Sequence, residues 1–211
     1  MIKANKIKII IKLTSIILIL FQLSCTQRNK RENIIFASAG KIESLDPAQA
    51  NTLRTLQILS ALGDTLYKTN KEGNLSPILA RDLPKVSKNG LLIDIPLRKN
   101  ILFHDGSSFN AKAMKFSLHR FMKIGTLNYL LNDKIEDIEA KDEFLLRIKL
   151  KKPSSSIKSL LTSVNLTPVS PSSYSSYKDK FNSKDFIGTG PYLLESFNSN
   201  QQIIKPFENY W

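Results

Sequence analysis

Residues 97–120 constrain the fold of this 211-residue chain more than any other stretch. Asp105 and Gly106 favour a tight turn, and Asn110 stands directly before apolar residues at helical spacing. An asparagine in that position can accept hydrogen bonds from the free amides of a first helical turn. The sequence therefore predicts the end of a strand, a turn and a capped helix that lies on a sheet. The apolar positions of this helix are Ala111, Met114, Leu118 and Phe121.

Composition limits the kinds of chemistry that the chain can perform. With 42% hydrophobic residues it can bury a core, and it is not disordered by composition. Its single cysteine, Cys25, excludes an internal disulfide framework and a cysteine-rich zinc site, and two histidines leave little for a metal centre. The net charge of +13 comes from scattered lysines without interleaved aromatic residues. We therefore predict no cofactor, no metal and no nucleic-acid partner.

The first 24 residues have the pattern of a secretory signal. Four lysines and no acidic residue occur in residues 1–12, and residues 13–23 are mostly apolar. This apolar run is shorter than the roughly 20 residues that a comfortable membrane span needs. Cys25 follows a small residue, which resembles the lipobox of bacterial lipoproteins. The pattern predicts a signal peptide over 1–24, a lipid on Cys25 and a tether over 25–33. An uncleaved anchor with an incidental cysteine is the alternative.

Periodicity predicts the remaining elements. Residues 33–40 are apolar and end in glycine, which favours a buried strand, and leucines at helical spacing predict a helix over 52–67 on the same sheet as the first one. Asn89-Gly90 predicts a hairpin whose two central residues both take positive φ. Two further hairpins are expected over 135–150 and 192–205. A short helix is expected over 154–163, followed by a loop with a helical turn over 168–177.

The 97–120 stretch also carries a family pattern. A strand is followed by F-x-D-G, a small residue, F-x-A and a helix with F-S-x-x-R. This resembles the family 5 solute-binding proteins of ABC importers, which include oligopeptide, dipeptide and nickel binders. The residues that match in register are Phe103, Asp105, Gly106, Phe109, Ala111, Phe116, Ser117 and Arg120.

Four shorter segments resemble the same family and occur in its order. Residues 45–47 match an L-D-P element that lies near the mouth of the ligand cleft in that family, although Asp46 itself is expected to cap the next helix. Residues 77–80 match P-x-L-A, and residues 187–192 match I-G-T-G-P-Y, which we interpret as a structural crossover. The chain ends in a segment similar to N-P-x-Y-W at 207–211.

The resemblance implies an α/β fold. It is that of a periplasmic-binding-protein-like lobe of class II, cluster C, with an inserted α+β accessory subdomain and without the second lobe. Residues 34–50 and 186–211 would form parts of main lobe I, and residues 51–185 the accessory subdomain. Family members continue well beyond the matched region. A truncated gene, a split gene and an incomplete sequence all fit this expectation.

The implied function is non-enzymatic. The family captures a peptide or another small solute between two lobes and delivers it to permease subunits in the membrane. We expect this chain to act outside the cytoplasm, in the periplasm or on the outer face of the cytoplasmic membrane, held there by its lipid. One lobe cannot enclose a solute, so the isolated chain is expected to bind none tightly. Nickel, haem and sugars stay open as solutes, and no ligand contact is assigned.

The sequence leaves two other functions open. An exported, membrane-tethered hydrolase would use Asp105, His104 and a serine, while His119 lies on the following helix without partners. No G-x-S-x-G element occurs, and the S-x-x-K pairs lack the motifs that accompany them in serine enzymes. We therefore predict no catalytic residue. A structural or non-functional lipoprotein fragment is the other alternative. The S-x-x-K pairs are Ser155 with Lys158 and Ser175 with Lys178.

Overall fold

The computed structural model describes residues 41–42, 44–175, 186–198 and 200–211. The predicted signal peptide, Cys25, the tether and the strand expected over 33–40 lie outside the described residues. In the described ranges no helix has the length and apolar character needed to cross a membrane.

Helices are interspersed with pairs of consecutive strands along the described residues. The α-helices are α1 (Leu53–Leu62), α2 (Ala111–Ile124), α3 (Tyr129–Asn132), α4 (Ile157–Leu160) and α5 (Pro171–Ser175). The strands are β1 (Tyr67–Thr69), β2 (Leu75–Pro77), β3 (Lys85–Val86), β4 (Leu92–Pro96), β5 (Ile135–Asp142), β6 (Leu145–Leu150), β7 (Tyr192–Phe197) and β8 (Gln202–Pro206). Short 3-10 helices occupy Pro47–Gln49 and Val164–Leu166.

A four-stranded antiparallel sheet in the order β3-β4-β6-β5 forms the centre of this part of the chain. Alternate residues of β4 and β6 are buried on one face, where Ile93 lies opposite Ile148 and Ile95 opposite Leu146. On the other face the Arg147 guanidinium forms a 2.7 Å ion pair with Asp94. The two strands are therefore half-buried, with one apolar and one polar face.

Helix α2 lies on this sheet, as predicted, and contacts β5 and β6. The Asn110 side chain caps it by accepting a 3.0 Å hydrogen bond from the Ala113 amide. The helix ends at Ile124, directly before Gly125. Its predicted apolar face is confirmed, since four residues on it are buried: Ala111, Met114, Leu118 and Phe121.

The prediction for residues 52–67 was wrong at its C-terminal end. Helix α1 ends at Leu62, because Gly63 is extended (φ −152°) and donates the last bond to the Leu59 carbonyl. Leu53 is 74% exposed, so the apolar face is narrower than the leucine spacing suggested. The helix packs against β7 and the Val164–Leu166 turn rather than on the central sheet.

The hairpin between β3 and β4 is confirmed, but its turn differs from the predicted one. Only Gly90 has positive φ (+73°); Asn89 does not. The Gly90 amide bonds the Ser87 carbonyl at 2.9 Å, and the Asn89 side chain accepts from the Leu91 amide and the Ser87 hydroxyl. Because the asparagine side chain supplies these bonds, a single left-handed residue suffices to close the turn.

Two further hairpins form as predicted, β5 with β6 and β7 with β8, both antiparallel. The helix expected over 154–163 is shorter than predicted and consists of the single turn α4. Ile157 and Leu161 are buried. The helical turn expected in the serine-rich loop is α5.

The buried apolar residues form two clusters. The larger one fills the space between α2 and the central sheet. The smaller one gathers residues from both ends of the described chain and from α1, and Leu194 and Phe197 of β7 pack against it. The predicted division into main lobe and accessory subdomain stays a prediction. The buried members of the smaller cluster are Ile42, Leu45, Ala50, Leu59, Leu62, Val169, Tyr174 and Phe186.

Candidate functional site

The L-D-P turn is joined to helix α2 by a buried ion pair. Arg120 donates from Nη1 and Nη2 of its guanidinium to the two carboxylate oxygens of Asp46, at 2.7 and 2.6 Å. The Asp46 side chain is 1% exposed and that of Arg120 is 14% exposed. Asp46 also accepts from the Ala48 amide at 3.0 Å and so caps the 3-10 helix Pro47–Gln49, whereas α1, the helix predicted to follow, is capped by Thr52. The pairing with Arg120, 74 residues away, was not predicted.

The same turn is held by neutral hydrogen bonds. The buried Asn165 amide donates to the Pro47 and Ala50 carbonyls at 2.9 and 2.7 Å. One turn before Arg120 on α2, the Ser117 hydroxyl accepts from the Val169 amide at 3.0 Å. The serine and arginine of the F-S-x-x-R motif therefore tie two distant segments to one helix.

Asp105 lies at the centre of a group of serine hydroxyls. One carboxylate oxygen accepts from the amide and hydroxyl of Ser107 at 2.9 and 2.6 Å. The other accepts from the hydroxyls of Ser170, Ser172 and Ser173 at 2.5, 2.9 and 3.1 Å. Burial raises the pKa of Asp105, but these hydrogen bonds outweigh it and lower the pKa to about 2. The ionised carboxylate thus fastens the 103–108 turn to the start of α5.

His104 binds the backbone of the I-G-T-G-P segment with both ring nitrogens. Nδ1 accepts from the Gly188 amide at 3.4 Å, so Nε2 carries the proton and donates it to the Gly190 carbonyl at 3.0 Å. The ring also meets that of Phe207 edge-on, with 5.0 Å between centroids. Burial lowers the pKa of His104 below its ordinary 6.5, against the opposing influence of the Gly190 bond and Asp105. The imidazole is therefore neutral at pH 7.

These contacts do not form a hydrolytic triad. A serine nucleophile needs an imidazole between its hydroxyl and the carboxylate. Here the serine hydroxyls bond Asp105 directly, while the ring of His104 is occupied by backbone groups. His119 is exposed on α2. In the described ranges, histidine, cysteine and carboxylate side chains also form no cluster of three that could hold a metal ion.

The I-G-T-G-P segment approaches the end of α1 closely. The Gly190 amide donates to the Leu62 carbonyl at 3.0 Å, and a Cβ at Gly190 would lie 2.5 Å from the Gly63 nitrogen. Real Cβ atoms do not come so near to backbone, so only glycine fits. Thr189 is fully buried and bonds the Asp64 carboxylate at 3.3 Å. These contacts support the interpretation of the segment as a structural crossover.

The C-terminal residues Tyr210 and Trp211 contact Asp64, the residue that Thr189 also bonds. The Tyr210 hydroxyl and the Trp211 indole N–H each donate to Asp64 at 3.3 Å. Burial raises the pKa of Asp64, because its donors are neutral side chains that only partly offset desolvation. The Arg98 guanidinium lies 5.2 Å from the Trp211 ring centroid. Sequence reasoning did not single out Asp64, since no local spacing connects it to residues near the C-terminus.

Comparison with known proteins gives the same assignment from a family model and from individual relatives. The model described as "Bacterial extracellular solute-binding proteins, family 5 Middle" matches residues 74–211. The glutathione-binding protein GsiB of Escherichia coli O6:K15:H31 is 31% identical over 183 residues, covering 85% of this chain and 35% of that protein. The chain thus spans little more than a third of the length of such relatives.

Solved structures confirm the predicted fold. Listeria monocytogenes OppA bound to peptide has a TM-score of 0.75 at 21% identity, over 82% of this chain and 38% of that one. An ABC transporter substrate-binding protein from Sinorhizobium meliloti has a TM-score of 0.71 at 28% identity, over 82% and 35%. The chain therefore has a mixed α/β, periplasmic-binding-protein-like fold. Its coverage of the solved structures is that expected of a single lobe or a fragment.

Replacing Arg120 by methionine should lower the free energy of unfolding by about 3–5 kcal/mol, because the Asp46 carboxylate would stay buried without its counter-ion. Urea unfolding measures the change. The matched control is His119→Ala, on the exposed face of the same helix, with an expected change within about 0.5 kcal/mol. Adding Asp46→Asn to Arg120→Met should recover part of the loss. Equal effects of the Arg120 and His119 variants would contradict the importance of the pair.

The neutral state of His104 predicts a pH dependence. The unfolded chain protonates its histidines near pH 6.5, whereas the folded chain resists protonation of His104, so stability is full above that pH and declines as the pH falls. Between pH 7.5 and 5.5 the decline attributable to this residue cannot exceed about 1.4 kcal/mol per pH unit, the limit for one proton. His104→Gln should flatten it.

The control for this experiment is His119→Gln. Burial lowers the pKa of His119 as well, but its ring is exposed and bonds neither Gly188 nor Gly190, so this variant should keep most of the pH slope. Urea unfolding at several pH values provides the measurement. A wild-type slope in His104→Gln would show that the imidazole does not titrate with folding.

Proposed function

The chain belongs to the bacterial extracellular solute-binding proteins of family 5, and on this premise we propose that it is part of the extracytoplasmic solute-binding subunit of an ABC importer. In this role it captures a peptide or a similar small solute and passes it to permease subunits in the membrane. The subunit makes and breaks no bond itself. The relatives are named for solute binding, which supports this assignment.

One observation carries the proposal more than any other. The residues by which the family is identified are brought together in space, although they are far apart in the sequence. Asp46 of the L-D-P element pairs with Arg120 of F-S-x-x-R, and His104 beside F-x-D-G holds Gly188 and Gly190. A chance coincidence of motifs would not produce such mutual contacts. They support a lobe built on the plan of a solute-binding protein.

A binding protein needs walls that keep their shape before the solute arrives, because ordering them on binding costs affinity. The L-D-P turn meets this need. Its carboxylate is held by Arg120, two of its carbonyls by Asn165, and a third carbonyl, that of Ala48, accepts from the Thr126 amide at 3.0 Å. We propose that this rigid turn lies at the mouth of the cleft. The opposite wall would come from polypeptide that corresponds to the part of the relatives outside the matched region.

Peptide is the solute class that the relatives favour. One relative is named for glutathione, and the solved Listeria structure carries a peptide. We carry this class over to the present chain as a proposal.

The proposed location is the outer face of the cytoplasmic membrane or the periplasm. A cleaved signal peptide over residues 1–24 would direct export, and acyl chains on Cys25 would hold the protein at the membrane. Stable anchoring takes two such signals, and a diacylglyceryl group supplies two chains. Residues 25–33 would then serve as the tether.

The importer role can be tested in the source organism. Deletion of the coding region should lower the uptake of radiolabelled glutathione or short peptides, and the wild-type gene should restore it. His119→Ala should also restore uptake. Arg120→Met should not, because the turn at Asp46 loses its support; immunoblotting distinguishes a lost protein from an inactive one. Uptake of these solutes that is unaffected by the deletion would contradict the peptide proposal.

Lipid attachment has its own test. Cells grown with radiolabelled palmitate should label a wild-type protein that has lost its leader, whereas Cys25→Ser should lose the label and, because cleavage follows lipid attachment, should keep the leader. Ser24→Ala keeps a small residue before the cysteine and serves as the control. If the wild-type protein takes up no label and keeps the mass of the uncleaved precursor, the leader is an anchor and the cysteine is incidental.

A further inference from the structure

Lysines that are far apart in the sequence come together at one end of the central sheet. They lie in the β3–β4 turn, directly before β5 and directly after β6. The backbone holds these segments side by side. The Leu150 amide donates to the Leu91 carbonyl at 2.8 Å, and the Lys151 amide donates to the Lys134 carbonyl at 2.8 Å. We call the four lysines of this end the lysine patch. They are Lys88, Lys134, Lys151 and Lys152.

The patch faces solvent and has little compensating charge. Three of its members are exposed, and Lys134 is half-buried. The Lys151 Nζ donates to the Asn132 carbonyl at 2.7 Å, which fixes the side chain without neutralising its charge. Within residues 87–91, 133–134 and 151–153, Asp133 is the one acidic residue against the four lysines. This end of the sheet is therefore strongly positive.

Elsewhere on the polar face of the sheet, charges of opposite sign face each other. Lys149 pairs with Glu136 at 2.8 Å, and Arg147 pairs with Asp94 at 2.7 Å. At the opposite end of the same strands, residues 141–143 contain one lysine and two acidic residues. The excess of positive charge on the sheet is thus confined to the lysine patch.

The composition of the patch indicates the chemistry of its partner. Protein interfaces are enriched in aromatic residues and arginine and depleted in lysine, whereas the patch segments contain four lysines and no arginine. Clusters of four or more basic residues are typical of surfaces that contact anionic lipid headgroups. Two exposed side chains with apolar parts flank the patch, Val86 (43%) directly before the turn and Tyr129 (54%) at the start of α3. Tyrosine suits the boundary between headgroups and water.

We propose that the lysine patch contacts the anionic phospholipid headgroups of the membrane on which the protein acts. The attraction is electrostatic, and each lysine near such a surface strengthens binding about fivefold. Salt weakens it, because the charges are exposed. The lipid proposed on Cys25 would hold the chain at the same membrane, so a weak contact would act at a high effective concentration. The contact would turn this end of the sheet toward the membrane.

The test measures how fast each lysine reacts at a membrane surface. The native protein is purified from the source organism in detergent and reconstituted into vesicles of phosphatidylcholine, either alone or with one quarter phosphatidylglycerol. Brief acetylation by a water-soluble reagent is followed by peptide mass spectrometry. Lys88, Lys151 and Lys152 should react about fivefold more slowly on the anionic vesicles. Sodium chloride at about 1 M, where the Debye length is about 3 Å, should abolish the difference.

The matched controls lie at the opposite end of the same sheet. Lys141 directly precedes the end of β5, and Lys112 follows Ala111, whose amide donates to the Glu143 carbonyl at 2.9 Å. Both lysines are exposed, as most of the patch is. They should react at the same rate on neutral and on anionic vesicles, because the proposed contact turns them away from the membrane.

Charge-matched variants test the patch itself. Lys88→Gln combined with Lys152→Gln should lower the protection of Lys151 on anionic vesicles to less than about twofold. Lys112→Gln combined with Lys141→Gln removes the same net charge and should leave this protection unchanged. Circular dichroism melting checks that both variants fold as the wild type does, and the wild-type rates are informative without either of them.

Three results would overturn the inference. The first is equal reaction of the patch lysines on both kinds of vesicle. The second is slow reaction on both kinds that persists in high salt, which would indicate a protein partner or a second copy of the chain. The third is an equal loss of protection in the two double variants, which would show that net charge alone acts. The inference rests on the proposed location at the membrane, but its readout involves no solute, so a failure of peptide uptake and a failure of lysine protection are distinguishable.

Discussion

The ion pair between Arg120 and Asp46 is the interaction on which the rest of the described structure depends. Helix α2 buries one face against the central sheet, and Arg120 extends from its other side to the L-D-P turn. The pair thus links the element that organises the larger core to the segment that enters the smaller one. Burying two charges is costly, and the bidentate geometry together with the Ala48 amide offsets that cost. The pair therefore fixes the position of the turn more than it adds net stability, because any other arrangement would leave a charge buried alone.

A second set of tertiary contacts is made by two adjacent residues, Asp105 and His104, of which one is charged and the other neutral. Asp105 remains ionised and accepts hydrogen bonds from serine hydroxyls. His104 remains neutral; one ring nitrogen accepts from a backbone amide and the other donates to a backbone carbonyl. One residue thus holds the start of α5 and the other holds the crossover at 188–190. Protonation of the imidazole would remove the acceptor for the Gly188 amide, and protonation of the carboxylate would weaken its hold on the serines. Near neutral pH the hydrogen bonds of both side chains are intact.

The elements that could be predicted from sequence are those with local causes. Helix α2 follows from Asn110 and a 3.6-residue period, and the hairpins follow from alternation and turn residues. The end of α1 was missed because Leu66 continues the leucine spacing past Gly63, and Leu66 is in fact buried after the helix has ended. The Asn89-Gly90 turn was misjudged because an asparagine side chain can replace a second left-handed residue. The ion pair, the His104 clamp and the Asp64 cluster join residues 74 to 147 positions apart. Such pairings are decided by tertiary packing, which no local pattern encodes.

The contacts explain why the motifs identify a family but not a solute. The carboxylates of Asp46 and Asp105, the ring of His104 and the backbone of Gly188 and Gly190 are all engaged in bonds within the chain. Groups whose hydrogen-bonding capacity is already used have little left for a ligand. The motif residues therefore build the frame of the fold, and under the proposed function the choice of solute would lie with side chains that this frame positions but does not use. A chain can match every motif of the family and still differ from each relative in what it carries.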